Sequence, residues 1–190
     1  MKNKIITIIM AAIIVFTLAS CGAQGDPKGT VDAYMKAYQK LDAEKMEECF
    51  PGQGASLDEE TYGYSDFFSR ITYELEDTTQ DGDKATQKIK ITTVDMATLM
   101  TEIIAEAATE MLSHLGDSDF DSDAYMSELL REKMSSPDAK LITSTVTVNL
   151  EKNADGKWII SAPEQNGEFL NALSGGLVTS LSDSLGSLLG

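Results

Sequence analysis

The stretch that decides the fold is LITSTVTVNLEKNADGKWIIS, residues 141–161. Apolar side chains recur in its first half with the two-residue period of a half-buried strand: Ile142, Val146, Val148 and Leu150. Asp155 and Gly156 form a turn signal, after which Trp158 and Ile160 resume the alternation. The stretch therefore predicts an antiparallel hairpin in which Trp158 lies against the apolar face, with Val146 and Val148 as neighbours.

The other face of the same strand carries a row of threonines, Thr143, Thr145 and Thr147. Side chains that alternate with an apolar set point to the opposite face of a sheet. This face is therefore either exposed to solvent or forms the half-polar wall of a concave surface.

An earlier segment shows the same period and predicts a second hairpin. Ile71, Tyr73 and Leu75 alternate with polar residues, Asp81-Gly82 signals a turn, and residues 85–94 resume as a strand. The distance between the two apolar runs predicts a rather long connecting loop. The two hairpins together predict an antiparallel sheet.

Helical spacing governs the segments around the hairpins. Residues 30–50 predict two helices, the second starting at the N-cap Asp42 and ending before Pro51. Residues 56–59, SLDE, have the form of a capping box and predict a third helix or turn leading to Phe67 and Phe68.

Two further helical segments complete the fold class. Asp95 is the predicted N-cap of a helix whose apolar stripe runs to Leu115 before Gly116, and residues 123–134 predict a weaker partner helix. The tail repeats apolar residues at every fourth position, interrupted by two glycines: Phe169, Leu173, Leu177, Leu181, Leu185 and Leu189. The tail is predicted to pack on the domain or to cap its cone, the space on the concave side of the sheet. Contact with a partner or the membrane is the alternative. The prediction is an α+β fold, with N-terminal helices on the sheet, an inserted helix pair and a C-terminal helix.

The N-terminus has the pattern of an export signal. Lys2 and Lys4 precede an uncharged apolar run, residues 5–18, which is shorter than the about 20 residues needed to span a bilayer. The sequence LASCG, residues 18–22, resembles the bacterial lipobox, whose cysteine is diacylglycerated and becomes the mature N-terminus. The resemblance implies a removed signal (1–20), lipid attachment at Cys21, a flexible tether (21–28) and one domain (29–190). Two acyl chains would hold the protein stably at the extracytoplasmic face of the cell membrane.

Charge excludes one class of partner. The chain has 15 basic and 31 acidic residues, and residues 1–20 contain two lysines and no acid, so 13 basic residues remain and the net charge is −18. Phosphate backbones are bound through clusters of Lys and Arg. We therefore expect no nucleic-acid partner.

Two stretches resemble a known family. VDAYMKAYQKLDAEKMEECF (residues 31–50) and NADGKWII (residues 153–160) are similar to the opening helices and last hairpin of the nuclear transport factor two-like (SnoaL-like, cystatin-like) superfamily. Many small lipoproteins of Gram-positive bacteria share this plan. The resemblance implies a domain whose concave sheet recognises a small molecule, a peptide or an envelope protein. Since this fold also hosts other functions, the alternatives are an enzyme with an Asp/Glu base in the cone, or a spacer with no ligand.

Few residues have the pattern of a catalytic or cofactor site. No GxSxG, HExxH, CxxC or glycine-rich phosphate loop occurs in the sequence, and we expect neither catalytic residues nor a cofactor. His114 falls in the last turn of a predicted helix, where an imidazolium suits the negative helix end. Cys49 lies on an apolar helix side beside Met46 and Phe50, and is interpreted as a core residue.

The stretch GDSDFDSDAYMSEL, residues 116–129, invites a calcium hypothesis. Its acids occupy positions one, three, five, seven and twelve of the twelve-residue calcium loop: Asp117, Asp119, Asp121, Asp123 and Glu128. Position six is Ser122, where the loop requires glycine for its sharp turn. The favoured interpretation is therefore an acidic connector in which Asp121 or Ser122 caps the next helix, and a weak calcium site is the alternative.

Overall fold

The computed structural model describes residues 25–53, 65–115, 117 and 120–189; for Asp66 and residues 184–189 only the backbone is described. The signal segment, Cys21, the predicted capping box at residues 56–59, Gly116 and Asp119 lie outside the described residues.

One antiparallel sheet, which is not closed, organises the described chain. Its strands follow one another in the order β1 (Thr72–Asp81), β2 (Lys84–Val94), β3 (Leu141–Lys152) and β4 (Trp158–Ile160). The first hairpin turns within Gly82-Asp83, with Gly82 at φ +60°. The predicted long loop is therefore wrong, because the polar residues after Leu75 continue β1, past a bulge between Leu75 and Thr78, as far as Asp81.

Helices surround this sheet in the predicted order. They are α1 (Pro27–Lys40), α2 (Ala43–Cys49), α3 (Ser65–Ser69), α4 (Met96–Ser113), α5 (Ser122–Ser135), α6 (Gly167–Leu173) and α7 (Leu177–Leu189). The predicted N-caps Asp42 and Asp95 are confirmed, and of the two candidates Asp121 and Ser122 the cap is Asp121, since each of these carboxylates accepts a backbone N–H of the first helical turn. The predicted α+β class is likewise confirmed.

The inner face of the sheet is covered by α1 and α6. α1 packs on β1, β2 and β4, and α6 packs on β3 and β2. Tyr34 of α1 lies at the centre, with ring centroids 5.6 Å from Phe50 and 5.8 Å from Phe169. All three side chains are buried, so aromatic rings form the centre of the core on this face of the sheet.

The second hairpin buries the predicted face, but its register places Trp158 opposite a different part of β3 than predicted. Val148 and Leu150 are buried on the inner face, and Trp158 and Ile160 are buried beside them on β4. Trp158 pairs with Lys152, which is six residues, or roughly 20 Å of strand, from Val146. The predicted contact with Val146 is therefore wrong. The Trp158 carbonyl instead accepts a hydrogen bond from Thr30 Oγ1 of α1, at 3.3 Å.

In the inserted pair α4 and α5, only part of the apolar stripe of α4 is buried. Leu99, Ile103 and Ala107 of α4 are buried. Leu112 and Leu115, from the same predicted stripe, are 67% and 78% exposed. No helix within the described ranges is long and apolar enough to cross a membrane.

The tail divides at its two glycines. α6 buries Phe169 and Leu173 against the core, as predicted. α7 contacts α6 and α4 but leaves Val178 and Leu181 about half exposed, at 50% and 55%. The turn between the helices is held by the Gly175 carbonyl, which accepts a hydrogen bond from Met96 N at 3.1 Å.

Candidate functional site

A groove of about 560 Å³ lies along β3 where α6 and α7 stand beside it. We call it the edge groove; the lining residues that bear on its function are Ser144, Val146, Glu168, Ala172, Val178 and Ser182. Ser144 and Val146 belong to the inner face of the sheet and are only half-buried, in contrast to Val148 further along the strand. The groove is thus the part of the sheet's inner face that α1 and α6 leave accessible.

The groove exists because β4 is short. β4 pairs only with Leu150, Glu151 and Lys152, so no strand of the described chain lies beside the first eight residues of β3 on that side. α7 is held across the gap at a fixed position, since Asn171 Oδ1 of α6 accepts the Thr179 backbone N–H at 2.9 Å. The walls of the groove are therefore a sheet margin and two helices joined by specific hydrogen bonds.

The threonine row of β3 lies on the outer face. Thr143, Thr145 and Thr147 are exposed, and Thr143 Oγ1 lies 2.8 Å from Thr92 Oγ1 on β2. Of the two predicted alternatives for this row, the structure selects the solvent-exposed face.

Asp32 is the carboxylate that approaches the aromatic core. Partial burial acts to raise its pKa, but hydrogen bonds from Lys36 Nζ and Tyr73 Oη, both at 2.7 Å, outweigh burial and hold the pKa below its ordinary value. A general base is most effective when its pKa lies near the working pH. Asp32 is thus a paired structural carboxylate, and its environment does not favour the enzyme hypothesis.

His114 and Cys49 have structural surroundings. His114 caps the C-terminus of α4, with Nε2 3.2 Å from Glu110 Oε1 and its ring stacked on Phe120 at 4.3 Å. Cys49 is fully buried, as predicted, and burial raises the pKa of its thiol. A buried thiol with a raised pKa is a poor nucleophile.

The acidic side chains of the connector, residues 116–129, contact groups that are close to them in the sequence. Asp121 Oδ1 accepts the backbone N–H groups of Asp123 and Ala124 at 3.1 and 3.0 Å. Asp117 lies beside His114, and Glu128 pairs with Arg131 at 3.4 Å. Among the described residues, which do not include Asp119, no three His, Cys, Asp or Glu side chains converge as metal ligands. The capping role of Asp121 is confirmed, and weak calcium binding stays a hypothesis.

A smaller cleft of about 200 Å³ lies between α4 and the start of β3. Three of its charged side chains already have partners: Lys140 Nζ lies 2.8 Å from Glu102 Oε1, and Asp95 caps α4. Paired groups have little capacity left for a ligand, so the edge groove is the better candidate site.

Comparison with known proteins gives little information about the family or the function of the chain. No protein-family model matches it, and no curated protein matches it at a significant level. Among solved structures it is similar to one from Bacillus subtilis subsp. subtilis str. 168, named "putative lipoprotein (ycdA)", with 15% identity and a TM-score of 0.46. The match covers 75% of this chain and 45% of that one. A likeness this distant does not define the family or the function of the chain.

Proposed function

We propose that the protein is a lipid-anchored extracytoplasmic binding domain that recognises its ligand in the edge groove. The observation that carries this proposal is the groove itself: about 560 Å³ of accessible space, within the roughly 300–1,000 Å³ typical of ligand sites. Its lining combines apolar Val146, Ala172 and Val178 with polar side chains at the rim. That combination is typical of binding sites that take up an apolar group and orient it by hydrogen bonds.

The proposal includes membership of the nuclear transport factor two-like superfamily. Its support is the order of elements: α1, a turn at Asp42 and α2 precede the antiparallel sheet, and the last hairpin carries Trp158. In this chain the cone contains Tyr34, Phe50 and Phe169, so recognition is moved to the uncovered margin of the concave sheet. The filled cone also supports the second candidate, a spacer with no ligand.

Lipid anchoring is tested by the substitution Cys21→Ala. We expect the variant to be recovered in the medium and the parent protein in the membrane fraction, because only the acylated thiol provides two membrane-inserted chains. The measurement is fractionation after a high-salt wash. A variant that stays with washed membranes would show that the lipid assignment is wrong.

Ligand binding is tested by placing a charge in the groove with Val178→Glu. Native mass spectrometry of the protein purified from its own host should show a co-purified ligand with the parent and at least about tenfold less with the variant, since burying an unpaired carboxylate against an apolar ligand costs more than about 1.4 kcal/mol.

Leu181→Glu is the matched control for this experiment. It lies on the same helix with nearly the same exposure, 55% against 50% for Val178, but does not line the groove. It should retain the ligand. Equal effects of the two substitutions, or no ligand on the parent protein, would favour the spacer.

A further inference from the structure

The backbone of β3 presents unused hydrogen-bonding groups to the edge groove. The backbone N–H and C=O groups of the even-numbered residues of β3 point toward β2. Two hydrogen bonds at the ends of the strand show this: Lys140 O accepts from Asp95 N at 2.8 Å, and Lys152 N donates to Asp83 O at 3.0 Å. Asn149 faces the other way: its carbonyl accepts from Ser161 N at 2.9 Å and its N–H donates to Asn166 Oδ1 at 2.8 Å. Successive residues of a strand alternate in this direction.

The same alternation assigns a direction to the rest of the strand. The backbone N–H and C=O groups of Thr143, Thr145 and Thr147 point in the same direction as those of Asn149. They therefore point to the side that β4 does not reach. Within the described chain these backbone groups have no hydrogen-bond partner. They form a row of three donor–acceptor pairs beside the groove.

This edge lacks the features that natural sheets use to block pairing. Exposed edges are commonly protected by charged side chains, proline or bulges. Residues 141–148, LITSTVTV, contain no charge and no proline, and the register of β3 with β2 has no bulge. The edge is therefore suited to pairing with another extended segment.

Charge indicates what kind of segment pairs there. Glu168 lies in the wall of the groove. The nearby lysines are already paired: Lys88 with Glu76 at 2.8 Å, Lys90 with Glu74 at 3.9 Å and Lys140 with Glu102 at 2.8 Å. The local field is thus negative and favours a cationic segment. A second copy of this chain, with its own net charge of −16, would be repelled.

We propose that the edge groove binds an extended, basic peptide segment of a partner, which adds to the sheet as a fifth strand beside β3. This inference rests on the proposed function and identifies the class of ligand. Main-chain bonds to Thr143, Thr145 and Thr147 supply affinity, as in other cases of strand addition. Alternate side chains of the peptide face Val146 and Val178, and a Lys or Arg pairs with Glu168.

The test uses the synthetic peptide KVTVTVK, acetylated and amidated at its ends, and amide hydrogen exchange followed by NMR. At a peptide concentration about ten times the dissociation constant, exchange at Thr143, Thr145 and Thr147 should slow by about tenfold. Exchange at Ser144 and Val146 should change little, since their N–H groups already pair with β2. This alternation is the signature of strand addition, and uniform protection or none would overturn it.

Two pairs of controls separate main-chain from side-chain recognition. N-methylation of one alternate set of peptide residues should abolish binding, and N-methylation of the other set should leave it intact, because only one set faces β3. Thr145→Pro should abolish binding by removing one edge donor, at a position where an edge strand tolerates proline. Thr145→Val keeps the backbone donor and should bind normally.

The outcomes distinguish this inference from the proposed function. Failure of the peptide to bind, while Val178→Glu still removes the co-purified ligand, would overturn strand addition and leave the edge groove as the ligand site. If neither the peptide nor Val178→Glu has an effect, both proposals fail. A shift of the free protein to twice its mass, lost in Thr145→Pro, would show that the edge pairs with a second copy and would likewise overturn the peptide assignment.

Discussion

Trp158→Ala is expected to lower the free energy of unfolding by about 3–5 kcal/mol, the range for removing a large buried aromatic side chain. Trp158 is only 4% exposed, its carbonyl is bonded to Thr30 of α1 at 3.3 Å, and its ring lies 5.2 Å from Lys152 Nζ. Truncation leaves a cavity where β4 meets α1, and the surrounding helices cannot fill it without moving. Urea unfolding of the protein lacking residues 1–21 measures the loss directly.

Ile159→Ala provides the comparison for this substitution. Ile159 neighbours Trp158 on β4 but points to the outer face and is only half-buried. We expect its replacement to cost about 1 kcal/mol, since less apolar surface is re-exposed and no enclosed cavity forms. A loss below about 1 kcal/mol for Trp158→Ala, the size of an ordinary surface substitution, would contradict the packing described for β4.

Gly175→Ala is expected to cost at least about 2 kcal/mol, from two separate causes. Gly175 has φ +61°, a left-handed conformation that costs other residues about 1–2 kcal/mol. A Cβ at this position would lie 2.0 Å from the Val94 carbonyl oxygen and 3.0 Å from Met96 N. Relieving that overlap must move the backbone and disturb the bond between Met96 N and Gly175 O, which adds about 1 kcal/mol or more.

Gly176→Ala separates the two causes. Gly176 also has a left-handed φ, +83°, but its added Cβ would meet only Ala97 Cβ, at an ordinary 3.9 Å. Conformational strain alone predicts a loss of about 1–2 kcal/mol for this variant. Similar losses for the two alanine variants, measured by urea unfolding, would show that the contact of Gly175 with Val94 does not restrain the tail.

The contact at Gly175 also positions one wall of the edge groove. It fixes the start of α7 against α4, and α7 carries Val178 and Ser182 into the lining. A variant that loosens this turn should therefore weaken any ligand of the groove. This dependence links the stability of the tail to the proposed binding function.

The features that the sequence by itself determined are those that depend on short-range physics. The two-residue alternation around Val148 defined the second hairpin and its buried face, because successive side chains of a strand point to opposite faces of the sheet. The N-caps Asp42, Asp95 and Asp121 were readable because a capping side chain bonds to a backbone N–H two or three residues away. The lipobox at Cys21 is likewise a local pattern, and it stays a prediction because it lies outside the described residues.

The candidate site, in contrast, was decided by tertiary structure. The aromatic core depends on where Phe50 and Phe169 pack relative to Tyr34, and these residues come from three separate segments of the chain. The edge groove depends on two features. β4 ends after three residues, and the hydrogen bonds of Gly175 and Asn171 fix the position of α7. The threonine row of β3 was visible in the sequence, but its periodicity is the same for a paired and an open strand. Only the absence of a neighbouring strand along β3, within the described chain, turns that row into an accessible edge, and strand neighbours are a property of long-range packing that local patterns do not encode.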